Sequence, residues 1–324
     1  MNYSFFYKKK IEDISHINIS RELEYDLFVS SYNETDRVNH VFNNISAKEK
    51  HWLIFPEYNF AEIELKSLKG SVFNYSKSQE NDEAEIIVDY FSKNEEKIRN
   101  SRIAIDITGM LRPYIIFLVR FFKEIGLKKV DFIYSEPLTY EKKEETEFSK
   151  DYLDVREVKG FSGSHNPETF NDVLIFGSGY DYHKIKMIAK EKKQTRKVQV
   201  LGFPSLQADM FQQSILKSYE AEEDASSGEF DLDSNNVILA PANDPFITAQ
   251  LISDYVKKSE SNKKFTNLYI SPISTKAQTL GMALFYTFEC IDKPASIIFP
   301  FSKKYSRKTC DGVSKVWVYT VEYP

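Results

Sequence analysis

The chain has 324 residues, 42% hydrophobic, 15% aromatic and 28% charged, with 43 basic against 48 acidic side chains and a formal net charge of −5. That length exceeds one typical core and suits two domains. The near-balanced, slightly acidic charge argues against a general nucleic-acid coat, which carries a strong basic excess.

Two cysteines, Cys290 and Cys310, form no CxxC pair, and the five histidines (His16, His40, His51, His165, His183) are scattered, so ligand spacing argues against a metal site. The expectation is two free thiols in a reducing, cytoplasmic setting. The start "MNYSFFYKKK" lacks the apolar stretch of a signal peptide. The run "YIIFLVRFF" is too short to span a bilayer and carries Arg120, so no membrane association is expected.

In chain order, residues 1–24 read as a polar N-terminal extension. "YDLFVSS" (25–31) is a buried strand, and the turn "YNETD" supplies caps for a helix from Arg37 to Ile45. "HWLIFP" and "SVFNYS" are short strands; "DEAEIIVDYFSKNEEKI" is one helix with acids at its start, as the dipole favours. "SRIAIDITG" is a strand, "RPYIIFLVRFFKEIG" a helix with Pro113 in its first turn and Gly126 at its end, and "KKVDFIYSEP" a strand. The stretch 138–167, with its charge run "EKKEETEFSKD" and its "KGFSGSHNP" end, reads as a solvated hairpin and linker.

Alternation restarts with "DVLIFGSGYDYHKIKMIAKEK", "KVQVLGFPS" and "ADMFQQSILKSYEAEE". "EEDASSGEFDLDSNN" is an acidic surface loop, followed by "NVILAPANDPFITAQLISDYVKK", "TNLYISPISTKAQTLGMALFYTFEC" and "ASIIFPF". The tail "DGVSKVWVYTVEYP" alternates like an exposed strand and is assigned to the second half. Strands alternating with helices predict an α/β fold of two similar Rossmann-like halves, 25–137 and 168–324, each a mainly parallel sheet flanked by helices.

The halves align as an internal duplication. Tyr32 falls on Tyr180 and Pro56 on Pro204, both at an offset of 148 (180 − 32; 204 − 56), whereas Phe132 meets Ile297 at 165 (297 − 132). The difference matches the acidic insert in size.

Parallel sheets bind ligands at the carboxyl ends of their strands. There the first half places Ser31, Tyr32, Glu57, Asp106, Thr108, Gly109 and Arg112; the second places Ser178, Gly179, Tyr180, Asp181, Asn243, Ser274, Thr275 and Lys276. "STK" ahead of a helix offers hydroxyls, backbone donors and a charge to a phosphate, with plain helix capping as the competing reading. "TGMLR" offers the same arrangement with Arg112. Asp244 before Pro245 reads as a helix cap. Neither GxGxxG nor a Walker signature occurs, and no GxSxG or HExxH pattern points to catalysis. Lys303, Lys304 and Arg307 follow the last core strand and are candidates to line a pocket.

The unit "IAIDITGMLRPYIIFLVRFFKEIGLKKVDFIY" resembles the ligand-binding strand–turn–helix of CRISPR-associated Rossmann fold (CARF) domains, whose turn follows a D-x-[ST]-G-G-T-K pattern before a long apolar helix. Two such domains in one chain are the layout of SAVED domains. The resemblance covers Arg102–Pro137 and Leu268–Phe301, and by layout most of 25–301. The first turn has "TGMLR" where the pattern has a second glycine and a lysine, and "STK" lacks the glycines. The resemblance implies binding of a nucleotide or cyclic oligonucleotide by a sensor in anti-phage defence, with output through an effector protein subunit, no cofactor, and a homo-oligomer as one arrangement. A hydrolase acting on a nucleotide and a non-catalytic scaffold are the alternatives.

Overall fold

Two sheets with one strand order organise the chain. The computed structural model describes residues 1–3, 6–11, 24–76, 82–140, 149–179, 181–225 and 236–324. The elements of the first part are β1 (Tyr7–Ile11), β2 (Tyr25–Ser31), α1 (Asp36–Asn44), β3 (Ala47–Ile54), a 3-10 turn (Pro56–Tyr58), α2 (Glu62–Leu65), β4 (Ser71–Asn74), α3 (Glu83–Ser92), α4 (Glu95–Arg99), β5 (Ile103–Asp106), α5 (Arg112–Glu124) and β6 (Lys129–Tyr140). The second part contains β7 (Ser149–Glu157), β8 (Val173–Gly177), α6 (Tyr182–Glu191), β9 (Arg196–Gly202), α7 (Met210–Ala225), β10 (Val237–Ala240), α8 (Pro245–Asn262), β11 (Leu268–Ser271), α9 (Lys276–Glu289), β12 (Ala295–Tyr305) and β13 (Cys310–Glu322).

The first sheet runs β1-β13-β6-β5-β2-β3-β4 and the second β10-β9-β8-β11-β12-β7. Strands β4, β3, β2, β5 and β6 are mutually parallel, as are β10, β9, β8, β11 and β12. Numbered by appearance, each parallel set reads 3-2-1-4-5, with a topological switch between its first and fourth strands. The central strands "IAID", "VLIFG" and "LYIS" are buried at every residue, which is why they read as continuous apolar runs rather than alternating ones. The duplication holds at the strand starts: Tyr25 to Val173 is 173 − 25 = 148, and Ile103 to Leu268 is 268 − 103 = 165.

The chain divides into two compact units, one of Phe6–Tyr114, Phe121–Asp151 and Ser302–Pro324, the other of Met1–Phe5, Ile115–Arg120 and Tyr152–Phe301. This differs from a simple cut into 25–137 and 168–324. The C-terminal strand β13, expected with the second half, pairs antiparallel with β6 of the first sheet (Val318↔Ile133). It covers an edge that would otherwise expose unpaired backbone groups. The N-terminal extension contributes β1, which pairs antiparallel with β13 (Lys9↔Val318).

The expected linker is also structured. Of the stretch 138–167, residues 149–157 form β7 at the edge of the second sheet. Val158 and Phe161 then bond the backbone of Ile297 in β12. A Cβ on Gly163 would meet the Ala295 carbonyl oxygen at 2.0 Å, so this glycine permits close packing of the segment. The single helix expected over 82–98 breaks into α3 and α4 because the Asn94 side chain donates to the Tyr90 carbonyl (2.8 Å), replacing continuation of the helix. Most of the charge run (141–148) and of the acidic insert (226–235) lie outside the described residues. Among the described residues no helix is long and apolar enough to cross a membrane.

Candidate functional site

The end of β2, beside the end of β5, is the switch point of the first sheet, and three loops meet there. After β5, Asp106 is fully buried and spent internally: it accepts from the Ser30 hydroxyl (2.9 Å) and the Thr108 amide (2.8 Å). Thr108 accepts from the amide of Ser135 (3.0 Å), in β6 just past its pairing with β5. Gly109 then presses onto β2, where a Cβ would lie 2.0 Å from the Ser31 carbonyl oxygen. After β3, the 3-10 turn reaches over the end of β2 to this loop. Tyr58 donates from its hydroxyl to the Gly109 carbonyl (2.7 Å), and the Tyr114 hydroxyl of α5 donates to Glu57 Oε1 (2.9 Å).

Three buried polar atoms around this point have no hydrogen-bond partner: Ser31 Oγ, Arg37 Nε and Glu57 Oε2. Such groups are rare in proteins and mark places where water or a ligand completes the structure. Arg37 is the sharpest of them. It lies in the first turn of α1, 7% exposed, with Nη1 donating to the Ser135 carbonyl (2.6 Å). Among the described residues no carboxylate forms an ion pair with it.

Electrostatics converge on Tyr58. Burial pushes its hydroxyl up to about 12; a hydrogen bond involving Asn33 opposes this, Glu57 adds to it, and the Arg37 and Arg112 guanidiniums both lower it. Two cations therefore act on one buried hydroxyl. Glu57 is pushed up to about 7, mainly by burial, with hydrogen bonds from its own backbone amide and from Tyr114 opposing and Glu83 adding to the shift.

The two helices that start beside this point lack side-chain caps. Thr35, at the N-cap of α1, turns its hydroxyl to Asn33 Oδ1 (2.5 Å) instead. Leu111, at the N-cap of α5, has no oxygen to offer, and Pro113 follows in the first turn. By contrast Asp82, Asp181, Asp244 and Thr275 cap α3, α6, α8 and α9 from their own side chains.

The structure thus brings together Ser31, Asp106, Thr108, Gly109 and Arg112 from the first half. Tyr32 turns toward β3, edge-on to Trp52 (5.4 Å) and against Phe60 (4.9 Å), and burial raises its pKa. Arg307 holds the 3-10 turn in place: its Nε donates to the Tyr58 carbonyl (2.8 Å) and its guanidinium lies 4.1 Å over the Phe60 ring. Lys304 pairs instead with Asp151 at 3.0 Å.

In the second sheet Ser178, Asp181 and Thr275 are held by side-chain hydrogen bonds, while Ser271 Oγ at the end of β11 is buried without a hydrogen-bond partner, as Ser31 Oγ is at the first switch point. Ser178 shares hydrogen bonds with Ser214 and Ser218 of α7, and a Cβ on Gly177 would meet Ser274 Oγ at 2.2 Å. Asp181 caps α6 and lies 3.7 Å from the buried Lys184 ammonium, so that cation has a built-in counter-charge. Thr275 accepts from the Gln278 amide (3.2 Å) and donates to the Ala242 carbonyl (2.5 Å), which is the capping reading of "STK". Lys276 stands half-buried at the first position of α9, Asn243 half-buried before α8, and Gly179 half-buried after β8. Tyr180 lies outside the described residues.

Arg37, Tyr58, Tyr114 and Ser135 were not among the residues expected here. Arg37 looks like an ordinary helix cation in "NETDRV", and only its burial distinguishes it. A surface depression of about 720 Å³ beside Ser92–Asn100 lies before the start of β5, away from the strand carboxyl ends. Cys290 and Cys310 are buried and unbonded. Among the described residues no group of three or more His, Cys, Asp or Glu side chains is placed to hold a metal. No protein-family model and no curated protein matches this chain.

Proposed function

We propose that the chain binds a phosphate-bearing ligand at the switch point of the first sheet, as a sensor or regulatory protein. The observation that carries this reading is Arg37: a guanidinium buried at the carboxyl end of the sheet with no carboxylate beside it. A buried guanidinium without a carboxylate counter-ion is costly to desolvate, and the Ser135 carbonyl (2.6 Å) and the Tyr134 ring (6.0 Å) offset part of that cost. An anion held there offsets that cost. Arg112 adds a second cation, and the uncapped starts of α1 and α5 present backbone donors and the positive ends of helix dipoles.

Nucleotides are the ligand class. The CARF-like layout makes cyclic oligonucleotides first among them, with occupancy reported to a partner protein in a defence setting. The test is a thermal-shift screen with inorganic pyrophosphate, mononucleotides and cyclic oligoadenylates, followed by calorimetric titration of wild type and Arg112→Ala. A ligand that binds only the folded state raises the melting temperature with concentration. Loss of Arg112 should weaken binding by about tenfold or more, since a charge-assisted contact is worth roughly 1.5–3 kcal/mol. If no phosphate compound shifts the melt, the reading is wrong.

A further inference from the structure

The second sheet ends on an open edge. β10 pairs with β9 on one side, and among the described residues no strand pairs with its other side. Such an edge invites a further strand, and proteins commonly block it with charge. β1, at an edge of the first sheet, carries Lys8, Lys9 and Lys10; β7, at the far edge of the second, carries Asp151, Asp154, Arg156 and Glu157. Residues 236–243, "NVILAPAN", carry no charge. The corresponding edge of the first sheet, β4, is likewise uncharged, but the four-residue α2 before it is too short to extend a face.

The side chains beside β10 are apolar and share one face. Gln199 of β9 donates to Ser218 of α7, which identifies the face that α7 covers. By alternation Phe203 points the same way, and its ring lies 5.1 Å from Phe211 of α7. In register, Val237 stands beside Gln199 and Leu239 beside Leu201, so both belong to this face. Helix α7 leaves them partly uncovered: Leu239 is 47% exposed, Phe203 52% and Tyr219 of α7 48%. Phe211, Ile215 and Tyr219 recur at every fourth residue, so they line the side of α7 that meets Phe203. Phe203 in turn donates its amide to the Ala240 carbonyl of β10 (2.8 Å).

We propose that β10 pairs antiparallel with β10 of a second copy of this chain, across a two-fold axis normal to the sheet. The six side chains expose on the order of 400 Å² of apolar surface, about the apolar share of one side of a standard interface. A two-fold uses the same patch on both copies, and an uncharged edge meets itself without like-charge repulsion. Opposed residues of an antiparallel pair share a face, so the axis passes through Ile238 or Leu239 and sets Leu239 against Val237 or Leu239 of the partner subunit. The two copies of β9 then lie about 14 Å apart, three strand spacings, and Phe203, Tyr219 and Leu239 fill that gap from both sides.

Sedimentation equilibrium on the full chain tests this. Expected is reversible association in the micromolar range to twice the 37.8 kDa chain mass. Leu239→Lys puts on this edge the charge that β1 carries, and should raise the dimer dissociation constant by about a hundredfold or more, because a two-fold interface feels each substitution twice. Tyr219→Glu, on the helix instead of the edge, should weaken the dimer in the same direction. Leu153→Lys, at a 51% exposed site on β7, should leave it unchanged. Circular dichroism melts confirm that each variant is folded; if Leu239→Lys does not fold, Tyr219→Glu decides. A wild type that stays monomeric throughout the micromolar range overturns the second copy as occupant of this edge. A dimer that the folded edge and helix variants leave intact overturns the placement.

Discussion

Gly109 packs its bare Cα against the backbone of Ser31: a Cβ there would lie 2.0 Å from the Ser31 carbonyl oxygen and 3.3 Å from Val38 Cγ2. The loop after the fourth parallel strand therefore lies directly on the end of the first. The second sheet repeats the closure with other atoms, a Cβ on Gly177 meeting Ser274 Oγ at 2.2 Å. Gly109→Ala must push backbone from backbone and should cost about 1–3 kcal/mol, as overpacking does. Gly179→Ala, whose nearest neighbours would be 3.7 Å away, should stay within about 0.5 kcal/mol. Urea melts of the two variants check the contrast.

Arg37 predicts a conflict between stability and binding. Arg37→Met replaces a buried charge lacking a counter-ion with an apolar chain of similar length. The Ser135 carbonyl loses one donor, but the desolvated cation is gone, so the melting temperature should equal or exceed that of wild type. Affinity for a phosphate ligand should fall by about tenfold or more. A clearly destabilised variant would show that Arg37 serves the fold.

Glu57 makes stability depend on pH in a defined window. Its folded pKa, about 7, lies above the ordinary 4.5. Between those values the folded state holds more protons than the unfolded state, so stability falls as pH rises from 4.5 to 7 and levels off above. The loss from this group is at most about 3.5 kcal/mol at roughly 1.4 kcal/mol per pH unit. Glu57→Gln should flatten the profile across this window and be more stable than wild type at pH 8 by about 1–3 kcal/mol. Denaturant midpoints from pH 4 to 8 measure both; an unchanged profile would mean that Glu57 ionises normally.

Thr275 and Lys276 are neighbours with different expected roles. Thr275→Ala removes the α9 cap and a bond to the Ala242 carbonyl, and should cost about 1 kcal/mol or somewhat more. Lys276→Ala leaves no buried hole at a half-buried helix start and should change stability by no more than about 0.5 kcal/mol. Chemical denaturation of each separates capping from charge at this turn.

Much of the architecture is legible in the sequence because parallel strands and their crossover helices are local objects. The apolar runs at 25–31, 103–106, 173–177 and 268–271 reflect burial on both faces, and the offsets of 148 and 165 recur at the strand starts. Capping is local too, so Asp244 is found where its position before Pro245 puts it.

Three features required the folded molecule. β13 pairs with β6 across 170 to 193 residues, a separation at which periodicity carries no information about partners. The segment 158–167 reads as linker by composition, yet it bonds β12 through its backbone, which composition does not encode. The third is the surroundings of the candidate residues at the two sets of strand ends. "STK" and "TDR" each present a hydroxyl and a cation at a helix start, and by sequence the former looks better. Packing reverses the order: Thr275 is spent as a cap, whereas Arg37 is buried against Ser135 with no carboxylate beside it. Residue type and spacing determine which charges are available at the strand ends; only tertiary packing decides which of them are desolvated and left without a counter-charge.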